Sequence, residues 1–300
     1  MNRKFMLGII TLMCVIMLAG CGAKKVENTE GGAAADTSGT NDGGSGNGSS
    51  TAANTGSDSG NAAAETTYQF ASDASYAPME FMDKDELKGF DIDFLAAVMK
   101  EAGLKYEVRN VGWDAMLESV KQGKEYQAGV SSISITADRA QTYDFSMPYF
   151  ESKNVIMVKE DSAIASALDL KGKKVALQGG TTADTLMTKI MGKGNTDLKK
   201  FDSNAVALLE LDKGGADAVV ADIAIVRDYI KNNPDKKYKE VLDDVNFNPE
   251  YYGLAYPKGS ELKAELDPAI KAVIENGTYA DLYKKWFDEV PDTTRLLAAK

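Results

Sequence analysis

KKVALQGGTTADTLMTKIM, residues 173–191, reads as a strand, a glycine turn and a helix in direct succession. Lys173–Gln178 is the strand and Thr182–Met191 the helix. Between them, Gly179 and Gly180 let backbone N–H groups converge at a helix N-terminus, whose partial positive charge suits an anion. The G-x-x-x-x-G-K-[ST] spacing of a phosphate loop is missing, and glycine turns of this kind are common without function.

The same texture extends in both directions. Strands are expected at Tyr68–Ala71, Leu104–Val111, Val155–Val158, Ala216–Ala221 and Gly253–Tyr256. Helices are expected at Phe90–Lys100 with Asp91 as N-cap, Trp113–Lys121, Val206–Leu211, Ile223–Ile230, Glu261–Asn276 and Tyr279–Phe287. Strands alternating with helices make this an α/β fold with mainly parallel sheets. About 230 folded residues exceed a typical single domain, so two lobes are expected.

Upstream of Tyr68 the chain changes character. Met1–Gly20 runs from Arg3 and Lys4 through an apolar stretch, Phe5–Leu18, to small residues, the order of a secretory signal. The stretch is shorter than the roughly 20 apolar residues of a membrane span. Leu18-Ala19-Gly20-Cys21 follows directly. Residues 22–66 are dominated by Gly, Ala, Ser, Thr, Asn and Asp and have no aromatic side chain, so they cannot bury enough surface to fold. As a flexible coil they would reach roughly 35–40 Å.

Composition narrows the function. The 300-residue chain has a formal net charge of −11, and loss of the leader removes two further cations, Arg3 and Lys4. Nucleic acid and anionic lipid headgroups share that sign and are poor partners. There is no histidine, which excludes Ser-His-Asp and Cys-His catalysis and histidine-based zinc sites. Of the two cysteines, Cys14 belongs to the leader and Cys21 stands at its end, so no disulfide is expected and the core must hold itself together. The acidic turn Asp83-Lys84-Asp85-Glu86 lacks calcium-loop spacing, and neither metal nor cofactor is expected.

Four groups of residues carry candidate chemistry. Asp73 and Tyr76 follow the first strand, where ligands of α/β sheets sit. Ser131, Ser132, Ser134 and Thr136 precede Arg139, whose planar fork matches a carboxylate. Gln178 and Thr182 flank the glycine turn, and Asp222 falls at the end of a buried strand, placed to pair with an ammonium; Asp217 reads as solvent-facing or turn-capping. With Tyr76 and Trp113 to cover an apolar stem, the set complements an α-amino acid.

Eight motifs stand in one order: YAPMEF (76–81), GFDIDF (89–94), SSISITADR (131–139), YDFSMPYF (143–150), DLKGKKVALQGGTT (169–182), GADAVVAD (215–222), YYGLAYPKGSEL (251–262) and NGTYADLYKKWF (276–287). This succession resembles the extracellular solute-binding proteins of polar amino-acid ABC transporters. The tetrapeptide ending at Cys21 likewise resembles the lipobox of bacterial lipoproteins, an ordinary secretory signal with an incidental cysteine being the alternative.

The resemblance implies a two-lobed type II periplasmic-binding-protein fold, each lobe a mixed sheet flanked by helices, joined by two hinge strands. It implies a leader 1–20, a lipidated (palmitate-bearing) Cys21 with its tether 21–66, lobe one at 67–154 plus 249–300, and lobe two at 155–248. In the cleft Arg139 would take the ligand's α-carboxylate with the Thr182 N–H. Asp222 and the Ser132 carbonyl would take its α-ammonium, and Ser134 would add a hydroxyl. Tyr76 and Trp113 would sandwich the stem, with Asp73 and Gln178 at the tip. Ser132 stands where one subgroup has glycine and Gln178 where a lysine can occur; Gln178 with Asp73 leans toward a cationic or amide ligand such as arginine, lysine, ornithine, histidine or glutamine. The implied protein is a monomeric receptor with no catalytic residue, lipid-anchored on the outer face of the cytoplasmic membrane and delivering its ligand to a membrane permease. A ligand-sensing partner of a signalling receptor, and a dehydratase-like enzyme using Glu80 or Asp73 as acid, are the alternatives.

Overall fold

The computed structural model describes residues 66–298. The expected leader 1–20, Cys21 and the tether through residue 65 lie outside the described residues.

The chain begins with β1 (Thr67–Ser72) and a small ribbon, β2 (Ser75–Tyr76), β3 (Glu80–Asp83) and β4 (Glu86–Lys88). Helix α1 (Phe90–Ala102), β5 (Lys105–Asn110), α2 (Trp113–Gln122), β6 (Ala128–Gly129), β7 (Tyr143–Phe145) and β8 (Phe150–Ser152) follow. Then come β9 (Asn154–Lys159), β10 (Val175–Gln178), α3 (Thr182–Met191), β11 (Leu198–Phe201), α4 (Asn204–Asp212), β12 (Ala218–Asp222), α5 (Ile223–Asn232) and β13 (Tyr238–Val241). The chain closes with β14 (Glu250–Tyr252), β15 (Ala255–Pro257), α6 (Leu262–Glu275), α7 (Thr278–Phe287) and α8 (Thr294–Ala298).

Two five-stranded sheets result, ordered β5-β1-β6-β15-β7 and β11-β10-β12-β9-β13. They share one plan. Three strands run parallel, β5-β1-β6 in one and β11-β10-β12 in the other. The fourth strand is antiparallel, β15 beside β6 and β9 beside β12. The sheets are therefore mixed rather than mainly parallel, because strands next to the chain's crossings enter against the βαβ direction. The crossings lie side by side: β8 leads into β9, and β14, which pairs antiparallel with β8, brings the chain back.

Each lobe buries its own sheet. Val175, Leu177, Ala218 and Val220 point to one side of the second sheet and meet Met187 of α3 and Leu170. In the first lobe Phe90 and Phe94 of α1 meet Tyr149, Phe150, Tyr279 and Phe287 in an aromatic cluster. Such pairs add about 0.5–1.5 kcal/mol each beyond their buried area.

The helix from Phe90 starts two residues earlier than an Asp91 cap requires. Gly89 is the N-cap, at φ 137, and a Cβ at this position would lie only 2.0 Å from the Met79 carbonyl oxygen, so only glycine fits. Asp91 then lies inside the first turn, fully buried, where its carboxylate serves the site described next.

Candidate functional site

The parallel strands of both sheets end at one cavity between the lobes. Asp73, Tyr76, Trp113, Ser132, Ser134 and Arg139 line it from the first lobe, and Gln178, Thr182 and Asp222 from the second. The nine residues that the resemblance assigns to the cleft thus all line one cavity, Asp73, Gln178 and Asp222 at strand ends as the architecture dictates, whereas Thr136 and Asp217 are not among its lining residues.

Asp73 directly follows β1. Its Oδ1 accepts from Ser75 Oγ at 2.9 Å and its Oδ2 from Gln178 Nε2 at 2.8 Å. Burial pushes its carboxyl up from the ordinary value, against the pull of those two donors. Gln178 is oriented by its other partners. Its Nε2 also donates to the Asp202 carbonyl at 3.0 Å, and its Oε1 accepts from Asn204 Nδ2 at 2.7 Å.

Asp222 is the last residue of β12 and the N-cap of α5, yet its side chain makes no cap. Instead Oδ2 accepts from Tyr76 O–H at 2.6 Å and from Tyr252 O–H. Burial raises its pKa, while the two tyrosines and Arg139 oppose the shift.

Arg139 opens a short 3₁₀ turn after the serine-rich loop. Nη1 donates to the Ser134 carbonyl at 3.0 Å and Nη2 to the Gly180 carbonyl at 3.3 Å. Its guanidinium lies 5.1 Å from the centre of the Trp113 ring, and Trp113 Nε1 also donates to Gly180 at 3.4 Å. Burial lowers the Arg139 pKa; Glu250 and Asp222 work against that.

Beneath Ser132 lies an acid pair. Glu80 Oε1 accepts from Ser131 Oγ at 2.8 Å and Oε2 from Ser132 Oγ at 3.1 Å. Asp91 Oδ2 accepts from the Ser132 N–H at 2.7 Å and from Tyr149 O–H at 2.7 Å. Two adjacent buried carboxyls cannot both ionise. Burial and Asp91 push Glu80 well above the carboxylate range, so Glu80 is the member of the pair that keeps its proton, and burial raises Asp91 to about 6. The pair holds Ser132 at φ 48, an uncommon conformation for a residue with a side chain.

Sequence reasoning missed Glu250, Asn154, Asn204 and Tyr252. Glu250 Oε2 accepts from Ser134 Oγ at 2.7 Å and Thr182 Oγ1 at 2.8 Å, and Oε1 from Asn154 Nδ2 at 2.7 Å. Glu250 directly precedes the motif beginning at Tyr251, in a three-residue strand with no periodicity to flag it. The buried amide oxygens of Asn154 and Asn204 have no donor among the described residues, and both residues line the cavity. Among the described residues, no cluster of His, Cys, Asp and Glu has the makings of a metal site. Arg139 is the single cation among the cavity's lining residues, facing Asp73, Glu80 and Asp222.

Residues 68–289 match the bacterial extracellular solute-binding proteins, family 3. The chain belongs to this family. Among family relatives, the "Probable histidine-binding protein" of Neisseria gonorrhoeae is 36% identical over 73% of this chain and 82% of its own length. The "Putative ABC transporter arginine-binding protein 2" of Escherichia coli K12 is 33% identical over 76% of this chain and 93% of its own. A solved structure, the arginine-, lysine-, histidine-binding protein ArtJ from Geobacillus stearothermophilus, is 48% identical and superimposes with a TM-score of 0.75, covering 77% of this chain and all of that one. The fold of this family 3 protein is accordingly the two-lobed type II periplasmic-binding-protein fold.

Proposed function

We propose that this family 3 protein is the amino-acid receptor of an ABC importer and that its ligand is a cationic L-amino acid, arginine above all. The observation that carries the reading is the charge arrangement of the cavity. One guanidinium, Arg139, is available for an α-carboxylate, while carboxylates stand at both ends: Asp222 for the α-ammonium and Asp73 for a cationic tip. The donorless oxygens of Asn154 and Asn204 add acceptors for N–H groups. The relatives named for arginine and histidine support the same chemistry. Trp113 and Tyr76 would flank the stem, and Thr182 and the Ser132 carbonyl would complete the grip.

Closure is a population shift. A ligand that touches both lobes only when they meet favours the closed state by its differential affinity. On this reading Cys21 carries a lipid anchor, the segment to residue 66 is a tether, and the monomer works outside the cytoplasm beside its permease, where tethering raises its local concentration. Catalysis has little to work with: both carboxyl oxygens of Glu80 are engaged by Ser131 and Ser132, which makes it a buttress rather than an acid aimed at a substrate.

The test is calorimetric titration of protein freed of bound ligand by unfolding and refolding, against the common amino acids and ornithine. One-to-one binding of arginine, lysine, histidine or ornithine, lost in Arg139→Ala and Asp222→Ala, is expected. Binding of only aliphatic or acidic amino acids would refute the reading.

A further inference from the structure

Glu250 sits where the chain returns from the second lobe, as the first residue of β14, and its carboxylate is held by both lobes at once. Ser134 belongs to the first lobe and Thr182 to the second, while Asn154, the last residue of the expected first lobe, opens β9 of the second sheet. Asn154 is also the cross-strand partner of Asp222, so the residue that grips Glu250 is the ladder neighbour of the proposed ammonium ligand. A second carboxylate therefore stands near Asp222 where the two lobes meet. Arg139 and the neutral Tyr76 and Tyr252, both of which donate to Asp222, are the other ionisable groups that face this cluster among the described residues.

We propose that Glu250 is a positioning residue that makes closure conditional on a cation: it aligns Ser134 and Thr182 across the cleft, but beside Asp222 it leaves a like-charge pair that the ligand's α-ammonium offsets. This rests on the amino-acid reading above. Its physical basis is that two carboxylates sharing a desolvated site repel strongly unless a proton or another cation intervenes. Burial and Asp222 raise Glu250 to about 6, the direction such repulsion requires. By linkage, a group whose pKa is higher in the closed state favours closure at low pH and opposes it as pH rises through that value.

The test uses the full chain in a Cys14→Ser, Cys21→Ser background, with spin labels at Lys121→Cys on α2 and Lys189→Cys on α3. Interlobe distances are measured without ligand at pH 5 and pH 7.5. Wild type is expected to be mainly open at pH 7.5 and to gain closed population at pH 5. Glu250→Gln, which keeps the shape and removes the charge, is expected to show a larger closed fraction at pH 7.5 and little response to pH. Identical distance distributions for both proteins at both pH values would overturn the proposal. In parallel, affinity is measured for L-arginine and for its analogue lacking the α-amino group. The preference for arginine is expected to shrink about tenfold in Glu250→Gln; an equal loss for both ligands would make Glu250 a simple brace and overturn the proposal. If wild type binds no amino acid, the functional reading fails, while the ligand-free distances still decide the role of Glu250.

Discussion

The side-chain amide of Gln178 donates to Asp73 Oδ2 at 2.8 Å, joining the end of β10 in one lobe to the end of β1 in the other. With Gln178 Oε1 held by Asn204, the amide can only present hydrogens toward Asp73. On the proposed reading, the carboxylate of Asp73 is then the feature that selects a ligand's tip. Asp73→Asn is expected to lower arginine affinity on the order of 100-fold, the scale of a lost charge-assisted pair at about 1.5–3 kcal/mol. Glutamine affinity should change only a few-fold, and titration of both ligands checks this.

Arg139 is expected to resist even conservative exchange. Its two terminal nitrogens reach different carbonyls, Ser134 and Gly180, while its face lies over Trp113. Lysine offers a point charge with no plane to stack and no fork. Arg139→Lys should weaken binding by roughly 10- to 100-fold, which titration with arginine checks.

Thermal stability of the ligand-free protein should fall as pH rises from about 4 to above 6. Asp91 and Glu250 are both raised in the folded state to about 6, from ordinary values of 3.8 and 4.5. A raised carboxyl contributes stability that is full below its unfolded pKa and is lost as pH climbs through its folded pKa. Asp91→Asn should flatten the melting temperature between pH 4 and 6.5, as measured by differential scanning calorimetry. An unchanged slope would place the dependence elsewhere.

Gly180 should not tolerate a side chain. Its φ is +70, and a Cβ there would come within 3.2 Å of Trp113 Nε1. Gly180→Ala is expected to cost about 1–2 kcal/mol from the left-handed backbone alone. It should also weaken ligand binding, because the Gly180 carbonyl serves both Trp113 and Arg139; paired melting and titration separate the two effects.

Helices and buried parallel strands are legible in the sequence because each carries enough residues to show a period. Thr182–Met191 is observed with the expected limits, and the helix expected at Phe90–Lys100 extends only to Ala102. The ribbon β2–β4 and strands β6, β7, β8 and β14 have two to four residues each, too few for alternation to appear. Asp91 reads as a cap because nothing local shows that Gly89 is wedged against Met79 and sets the helix start two residues earlier. The cavity residues Asp73, Gln178 and Asp222 are legible through their place at strand ends. Glu250 escapes because its role exists only where two distant crossings meet.

The common plan of the two sheets divides every grip between them. β1 and the loop after β6 supply Asp73, Ser132 and Arg139; β10, α3 and β12 supply Gln178, Thr182 and Asp222. On the proposed assignment, neither half carries all three counter-charges for a cationic amino acid, Arg139 and Asp73 lying on one side and Asp222 on the other. The captured molecule thus acts as cement between two halves of one chain, and it leaves when either half lets go. Weakening a few bonds on one side alone is enough to hand the cargo over.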